Sequence, residues 1–158
     1  MTETLLFTDG SVSTQSGVGY GAYLNTMDPS LPLEEHRAHV RTKRFEPTSS
    51  TKLELQTLLW ALGEMGETMS KVIIHTDSQN ILSLLSRRER LEKNEFRSKN
   101  GSLLNNYELY QEFYSQIDNI ECAFEKVKGH KISRLKDRVD DLFTLVDRAS
   151  RNALRSSN

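Results

Sequence analysis

Two short apolar runs in this chain end in an aspartate: TLLFTD (4–9) and KVIIHTD (71–77). If both are core strands lying side by side in parallel, Asp9 and Asp77 stand about one strand spacing apart, roughly 4.8 Å. An acid at the end of a buried strand is costly unless something compensates it, and two such acids also repel. Hard divalent cations prefer carboxylate oxygens and would offset that repulsion. Each aspartate also has a local reading. Asp9 opens DGS, a common turn tripeptide, and Asp77 opens DSQN, which suits a helix N-cap. The paired occurrence shifts weight toward a shared site, and both readings stay open at this level.

Two further segments supply acids. Glu54 lies one turn before Leu58 and borders the apolar face of its helix. TKLE (51–54) equally fits a capping box, with Thr51 as the cap and Glu54 three residues on. The last helix offers Asp137, Asp140, Asp141 and Asp147. At about 100° per residue, Asp141 points away from the apolar stripe. Asp147 flanks the stripe one turn from Phe143, and Asp140 flanks it slightly less well. A solvated surface acid is the ordinary fate of any one of them.

The elements that must position these acids follow from hydrophobic period. GVGYGAYL (17–24) places Val18, Tyr20, Ala22 and Leu24 on one face, which is strand spacing. MDPSLP (27–32) reads as a turn. HRAHVRTKRF (36–45) also alternates, with Ala38 and Val40 opposite Arg37, Arg41 and Lys43, and predicts a third antiparallel strand carrying His36 and His39. From Thr51 the period becomes helical: Leu55, Leu58, Leu59 and Leu62 share one side, with Leu53 and Trp60 on the other. A helix apolar on two sides packs on two sides, here between the sheet and another helix. KVIIHTD then gives a buried strand on which His75 is packed, and SQNILSLL a short helix. LLNNYELYQEFYSQI (103–117) is a second amphipathic helix, IECAFEKV (120–127) a fifth strand, and Val139 to Ala153 a final helix. The order βββαβα, a charged stretch, then αβα predicts an α/β fold: a mixed five-stranded sheet, three antiparallel strands then two parallel, flanked by helices.

At 158 residues a single domain is expected over 1–158, with an ordered core of about 3–155. The hydrophobic share of 36% and charged share of 27% fit a soluble protein. No apolar run approaches the roughly 18–20 residues of a membrane span, and MTETLLFTDG lacks the pattern of a signal peptide. The single cysteine, Cys122, leaves no internal disulfide and points to a reducing compartment. Without CxxC or paired Cys/His spacing, a structural zinc site is disfavoured. A net charge of −1 announces no nucleic-acid partner, so local charge has to be read instead. Lys126, Lys128, Lys131, Arg134, Lys136 and Arg138 face one acid, Asp137, in a basic loop suited to phosphate.

FTDGS on the first strand, TKLELQTLLWAL on the first helix, HTDSQ after the fourth strand, KVKGH after the fifth and VDRASR on the last helix occur in the order found in type 1 ribonuclease H. The chain resembles that family from about Thr4 to Arg155. The resemblance implies catalytic, metal-binding carboxylates at Asp9, Glu54, Asp77 and Asp147, and a mobile active-site histidine at His130 in the loop that Gly129 opens. It implies an endoribonuclease that cuts the RNA strand of RNA–DNA hybrids with two Mg²⁺ ions, for which Mn²⁺ is expected to substitute. Asp9 would bridge the ions, with Asp77 and Glu54 on one side and Asp147 on the other. Two departures stand out. The Asn pair frequent before the helix glutamate is replaced by Ser49-Ser50-Thr51, and the segment from His130 to Asp147 is longer than usual.

Substrate contacts are expected from Gly10, Ser11, Ser49, Ser50, Thr51, Ser78, Lys128 and Lys131. The hydroxyls of 49–51 are suited to phosphate or 2′-OH groups, and the 2′-OH distinguishes RNA from DNA. The charged run 86–102 reads either as a solvated helix with internal ion pairs or, by resemblance, as the basic protrusion that grips the DNA strand. A cytoplasmic monomer is expected. The other readings are a non-catalytic module of the same fold that binds hybrid or structured RNA, and another nuclease of the superfamily.

Overall fold

The computed structural model describes residues 3–67, 70–127 and 137–157. In chain order the elements are β1 (Glu3–Val12), β2 (Gly19–Thr26), α1 (Leu33–His39), β3 (Arg41–Phe45), α2 (Ser50–Met65), β4 (Lys71–Thr76), α3 (Gln79–Lys93), α4 (Tyr107–Asp118), β5 (Cys122–Lys126) and α5 (Arg138–Ser156). The strands form one sheet in the order β3-β2-β1-β4-β5. β1, β2 and β3 pair antiparallel, while β4 runs parallel to β1 and β5 parallel to β4. This is the mixed sheet expected from the change of hydrophobic period at Thr51.

The alternation of side chains along β1 splits the core in two. Leu6 enters a cluster with Leu55, Leu58, Leu62, Ile74, Ile81 and Phe113, under α2, α3 and α4. Phe7 enters the other, with Ala22, Leu24, Leu142, Phe143 and Val146, under α5. Helix α2 therefore lies between the sheet and α4, which explains its two apolar sides. It approaches the sheet closely because glycines leave room. A Cβ on Gly21 would stand 2.1 Å from Thr57 Oγ1, and one on Gly10 would stand 2.8 Å from Leu53 Cδ2. Real Cβ atoms do not tolerate such contacts, so these two glycines set the height of α2, and with it Glu54, above β1 and β2.

Four local expectations are corrected. Residues 33–39 form a helix, so β3 begins only at Arg41. Glu34 and Glu35 stand in the first turn of α1, and His36, Arg37 and His39 in its last, which suits the helix dipole. His36 is its buried residue and Ala38 is exposed, whereas a strand would have placed the two on one face. Helix α3 runs to Lys93, well beyond a short helix ending near Leu85. Strand β1 passes through Asp9 to Val12, so DGS is not a turn. The helix caps are Ser49 and Ser78, whose hydroxyls accept from Lys52 N and Ile81 N; neither Thr51 nor Asp77 is the cap. Among the described residues, no helix is long and apolar enough to cross a membrane.

Candidate active site

The site is built where two neighbouring strands part. Pairing between β1 and β4 runs to Phe7–His75, and β4 ends at Thr76 while β1 continues to Val12 alongside β2 alone. Continued by two residues, the same register sets Asp77 opposite Asp9. The chain leaves β4 without Gly or Pro because Thr76 and Ser78 do the turning. Ser78 N donates to Thr76 Oγ1 at 3.1 Å, and Ser78 Oγ accepts from Ile81 N at 3.1 Å to start α3. With the cap supplied by Ser78, the Asp77 carboxylate is not needed to start α3.

Alternation puts Asp9 on the Phe7 face of the sheet, beneath α5. Asp147 projects from α5 onto it, close enough for protonated Asp9 to donate a hydrogen bond to the Asp147 carboxylate. A pair of hydroxyls holds the helix there: Ser11 Oγ lies 2.9 Å from Ser150 Oγ, and Ser150 also donates to the Asp147 carbonyl at 2.9 Å. Arg151, one turn on, places Nε 3.1 Å from Asp147 Oδ1. Glu54 arrives from the opposite face, on α2. It is held by the Ser78 hydroxyl, which donates to Glu54 Oε2. Thr8, Asp9, Glu54, Thr76, Asp77 and Ser78 line a crevice of about 10 Å³, room for one water-sized particle.

The acids of the last helix separate by task. Asp137 caps α5 and Asp140 returns the bond, each side chain accepting from the other's backbone N–H at 3.0 and 3.1 Å. Asp140 is buried in that role in the first turn of α5, about two turns before Asp147. Of the candidates on this helix, Asp147 is the one beside Asp9.

Crowding shows in the electrostatics. The Asp9 carboxyl is pushed up to about 9, first by burial, then by its hydrogen bond with Asp147 and by the charges of Asp77 and Asp147. Asp77 is also raised, by lost solvation and by Asp147, with the Arg151 guanidinium opposing the rise. Glu54 is raised by burial, against the lowering effect of its Ser78 hydrogen bond. Among the described residues no three acids or histidines stand as a finished metal cage. The donors are nonetheless of the kind a hard dication prefers: Asp9, Glu54 and Asp77 line one crevice, and Asp147 lies against Asp9.

The proposed substrate contacts fall in three places. Gly10 and Ser11 continue β1 beyond Asp9, with Ser11 engaged by Ser150. Ser49 caps α2, and Ser50 and Thr51 are exposed in its first turn, one turn ahead of Glu54. Ser78 is buried and turned toward Glu54. His130, Lys128 and Lys131 lie outside the described residues. His75 stacks on Phe7 with ring centroids 4.8 Å apart, a packed core histidine. In the charged run, Arg88 takes the internal-pair role, bound to Glu92 and Asp118. Sequence reading assigned nothing to Arg151 or Ser150. The available signal was helical spacing: Arg151 follows Asp147 by four residues, the distance at which two helical side chains meet.

Comparison with known proteins adds an independent line. The RNase H family's sequence pattern matches residues 1–146. A ribonuclease H of Caldicellulosiruptor saccharolyticus is 25% identical over 144 residues, covering 90% of this chain and 94% of the relative. One from Syntrophomonas wolfei is 24% identical over 159 residues, 99% of each. Among solved structures, LC9-RNase H1, a type 1 RNase H with the type 2 active-site motif, superposes with a TM-score of 0.71 at 15% identity, covering 99% of this chain and 74% of that one. A foamy viral protease-reverse transcriptase in complex with dsDNA superposes at 0.64 with 11% identity, covering 94% and 93%. These two superpositions speak to the fold.

Proposed function

This chain belongs to the RNase H family, and from that premise we propose that it hydrolyses the RNA strand of RNA–DNA hybrids, leaving 3′-hydroxyl and 5′-phosphate ends. The observation that carries the reading is the meeting of Asp9, Asp77 and Asp147 at the β1–β4 parting, with Glu54 brought in by Ser78.

Enzymes of this family generally use divalent metal ions, and the four carboxylates are the residues that would hold them here. Mg²⁺ suits the site because it binds through few carboxylates together with substrate phosphate; two ions are proposed, with Mn²⁺ as a substitute. When bound, such ions supply a water acidic enough to attack at neutral pH and charge that stabilises the leaving oxygen. The chain's own part is positioning. Asp9 stands on β1 and Asp77 directly follows the neighbouring core strand β4, so their backbones have little freedom. Ser78 orients Glu54. Without cations, the cluster limits its charge by keeping a proton on Asp9, shared toward Asp147. The first turn of α2 presents N–H groups and the hydroxyls of Ser50 and Thr51, a natural seat for a phosphate or a 2′-OH. On family resemblance, His130 would move protons or assist product release, and Lys128 and Lys131 would bind phosphate. Recognition through backbone and groove shape gives little sequence preference. A cytoplasmic monomer completes the reading.

The test is a panel of labelled hybrid, double-stranded RNA and double-stranded DNA incubated with Mg²⁺. Cleavage confined to the RNA strand of the hybrid is expected. A hybrid bound but uncut would make the protein a binding module, and preferential cutting of either homoduplex would make it a different nuclease of this fold.

A further inference from the structure

Among the described residues, Arg151 is the one cation paired with any of the four acids. Its Nε stands 3.1 Å from Asp147 Oδ1, with the Arg151 side chain 58% exposed and that of Asp147 27%. The guanidinium therefore lies at the mouth of the cluster, over a carboxylate that faces inward. Its influence extends across the mouth, since the same charge acts on Asp77. The Ser11–Ser150 contact pins α5 at this level, so the guanidinium can leave Asp147 by rotating its own side chain, with no shift of the helix.

We propose that Arg151 is a resident counter-ion which a divalent cation must displace from Asp147, and that it thereby sets the cation affinity of the site. This rests on the reading of the acids as cation ligands given above. The argument is one of competition. A guanidinium and a dication seek the same carboxylate oxygen, and like charges at the mouth repel. Both effects oppose cation entry and both vanish when the side chain is neutral. Solvent at the mouth screens the repulsion, which keeps the effect modest. Cation binding is then an exchange of one positive group for another rather than a simple addition. Arg151 acts through Asp147, as a positioning residue.

The experiment is calorimetric titration of Mg²⁺, and separately Mn²⁺, into substrate-free protein, paired with thermal melting in chelator and in excess cation. The wild type is compared with Arg151→Ala, Arg151→Gln and Arg151→Lys. The two neutral variants should bind the cation about three- to tenfold more tightly, while Arg151→Lys, which keeps the charge, stays near the wild type. In chelator the neutral variants should melt lower than the wild type, because the acids lose their only paired cation among the described residues, and excess cation should close that gap. Since Arg151 is exposed, a merely structural role would lower the melting temperature equally with and without cation. Equal or weaker cation binding by both neutral variants, or a melting gap that cation leaves unchanged, overturns the proposal. A wild type that binds no divalent cation and cuts no hybrid would defeat the underlying reading instead, so the two failures are distinguishable.

Discussion

Two clusters of charge in this molecule contrast in their balance. Between α3 and α4, Arg88 grips Asp118 through two parallel hydrogen bonds, each 2.6 Å, reaches Glu92 one turn away, and lies over the Tyr114 ring at 4.8 Å. Arg88, Glu92 and Asp118 are all paired there, and the effect is to fasten two helices. Asp118 is held below the usual carboxylate range by the guanidinium, the mark of an acid content to be charged. At the β1–β4 parting the proportions reverse. Among the described residues, four acids share one paired arginine, and Asp9, Glu54 and Asp77 are all raised. A balanced cluster can be explained by the fold it supports. An unbalanced one costs the fold stability.

That contrast can be broken by mutation, and the largest effect should come from the acids. Asp9→Asn or Asp77→Asn is expected to lower hybrid cleavage by at least about 10²–10³-fold while the protein stays folded, as checked by circular dichroism and turnover assays. Full activity in either variant would remove the site from the account. Arg88→Ala should do the opposite, leaving cleavage near the wild-type rate and lowering the melting temperature.

A second expectation concerns stability against pH. Asp9 has its folded carboxyl raised from an ordinary 3.8 to about 9. The contribution of such a group to the folded state is fully present below the unfolded value and is lost as pH rises through the interval between the two values. Cation-free protein should therefore lose melting temperature between pH 5 and pH 8, and Asp9→Asn should flatten the curve and melt higher at pH 8. Saturating Mg²⁺ should remove most of the wild-type slope. Asp9→Asn thus reads as a gain in stability and a loss of function in one residue.

The smallest of these effects belongs to Ser78. Ser78→Ala removes both the cap of α3 and the partner of Glu54, costing about 1 kcal/mol of stability. It should also give a cleavage defect milder than that of Asp9→Asn. A loss of stability with no change in cleavage would mean that Glu54 needs no such orientation.

Much of this arrangement was legible beforehand because the sheet rests on strong local patterns. VIIHT opens on three β-branched apolar residues and is buried on both faces, and GYGAYL shows strand alternation, although the structure buries both of its faces. The spacing of Leu55, Leu58 and Leu62 marked α2, and acids at matching ends of two parallel strands suggested their meeting. What escaped was decided by tertiary contact or by short polar side chains. Seven residues are too few for a helix to hold alone, and α1 depends on burying His36 against the rest of the chain. The charged half of α3 has little apolar face, and its continuation to Lys93 is secured from α4 through Arg88 and Asp118. Ser, Thr and Asp compete for caps on similar terms, so Ser49 over Thr51 and Ser78 over Asp77 could not be chosen by residue type. Asp140 and Asp147 differed little in helical phase, whereas the capping box with Asp137 separates them at once.

The account stands or falls on whether these acids work through a dication on a hybrid. The direct measurement is strand-resolved cleavage of a doubly labelled RNA–DNA hybrid across a Mg²⁺ titration, from chelator to saturation. The prediction is no cleavage in chelator, RNA-strand cutting that rises and saturates with Mg²⁺, and an intact DNA strand throughout. Cleavage that persists in chelator, or a hybrid left whole at every Mg²⁺ concentration, would contradict it.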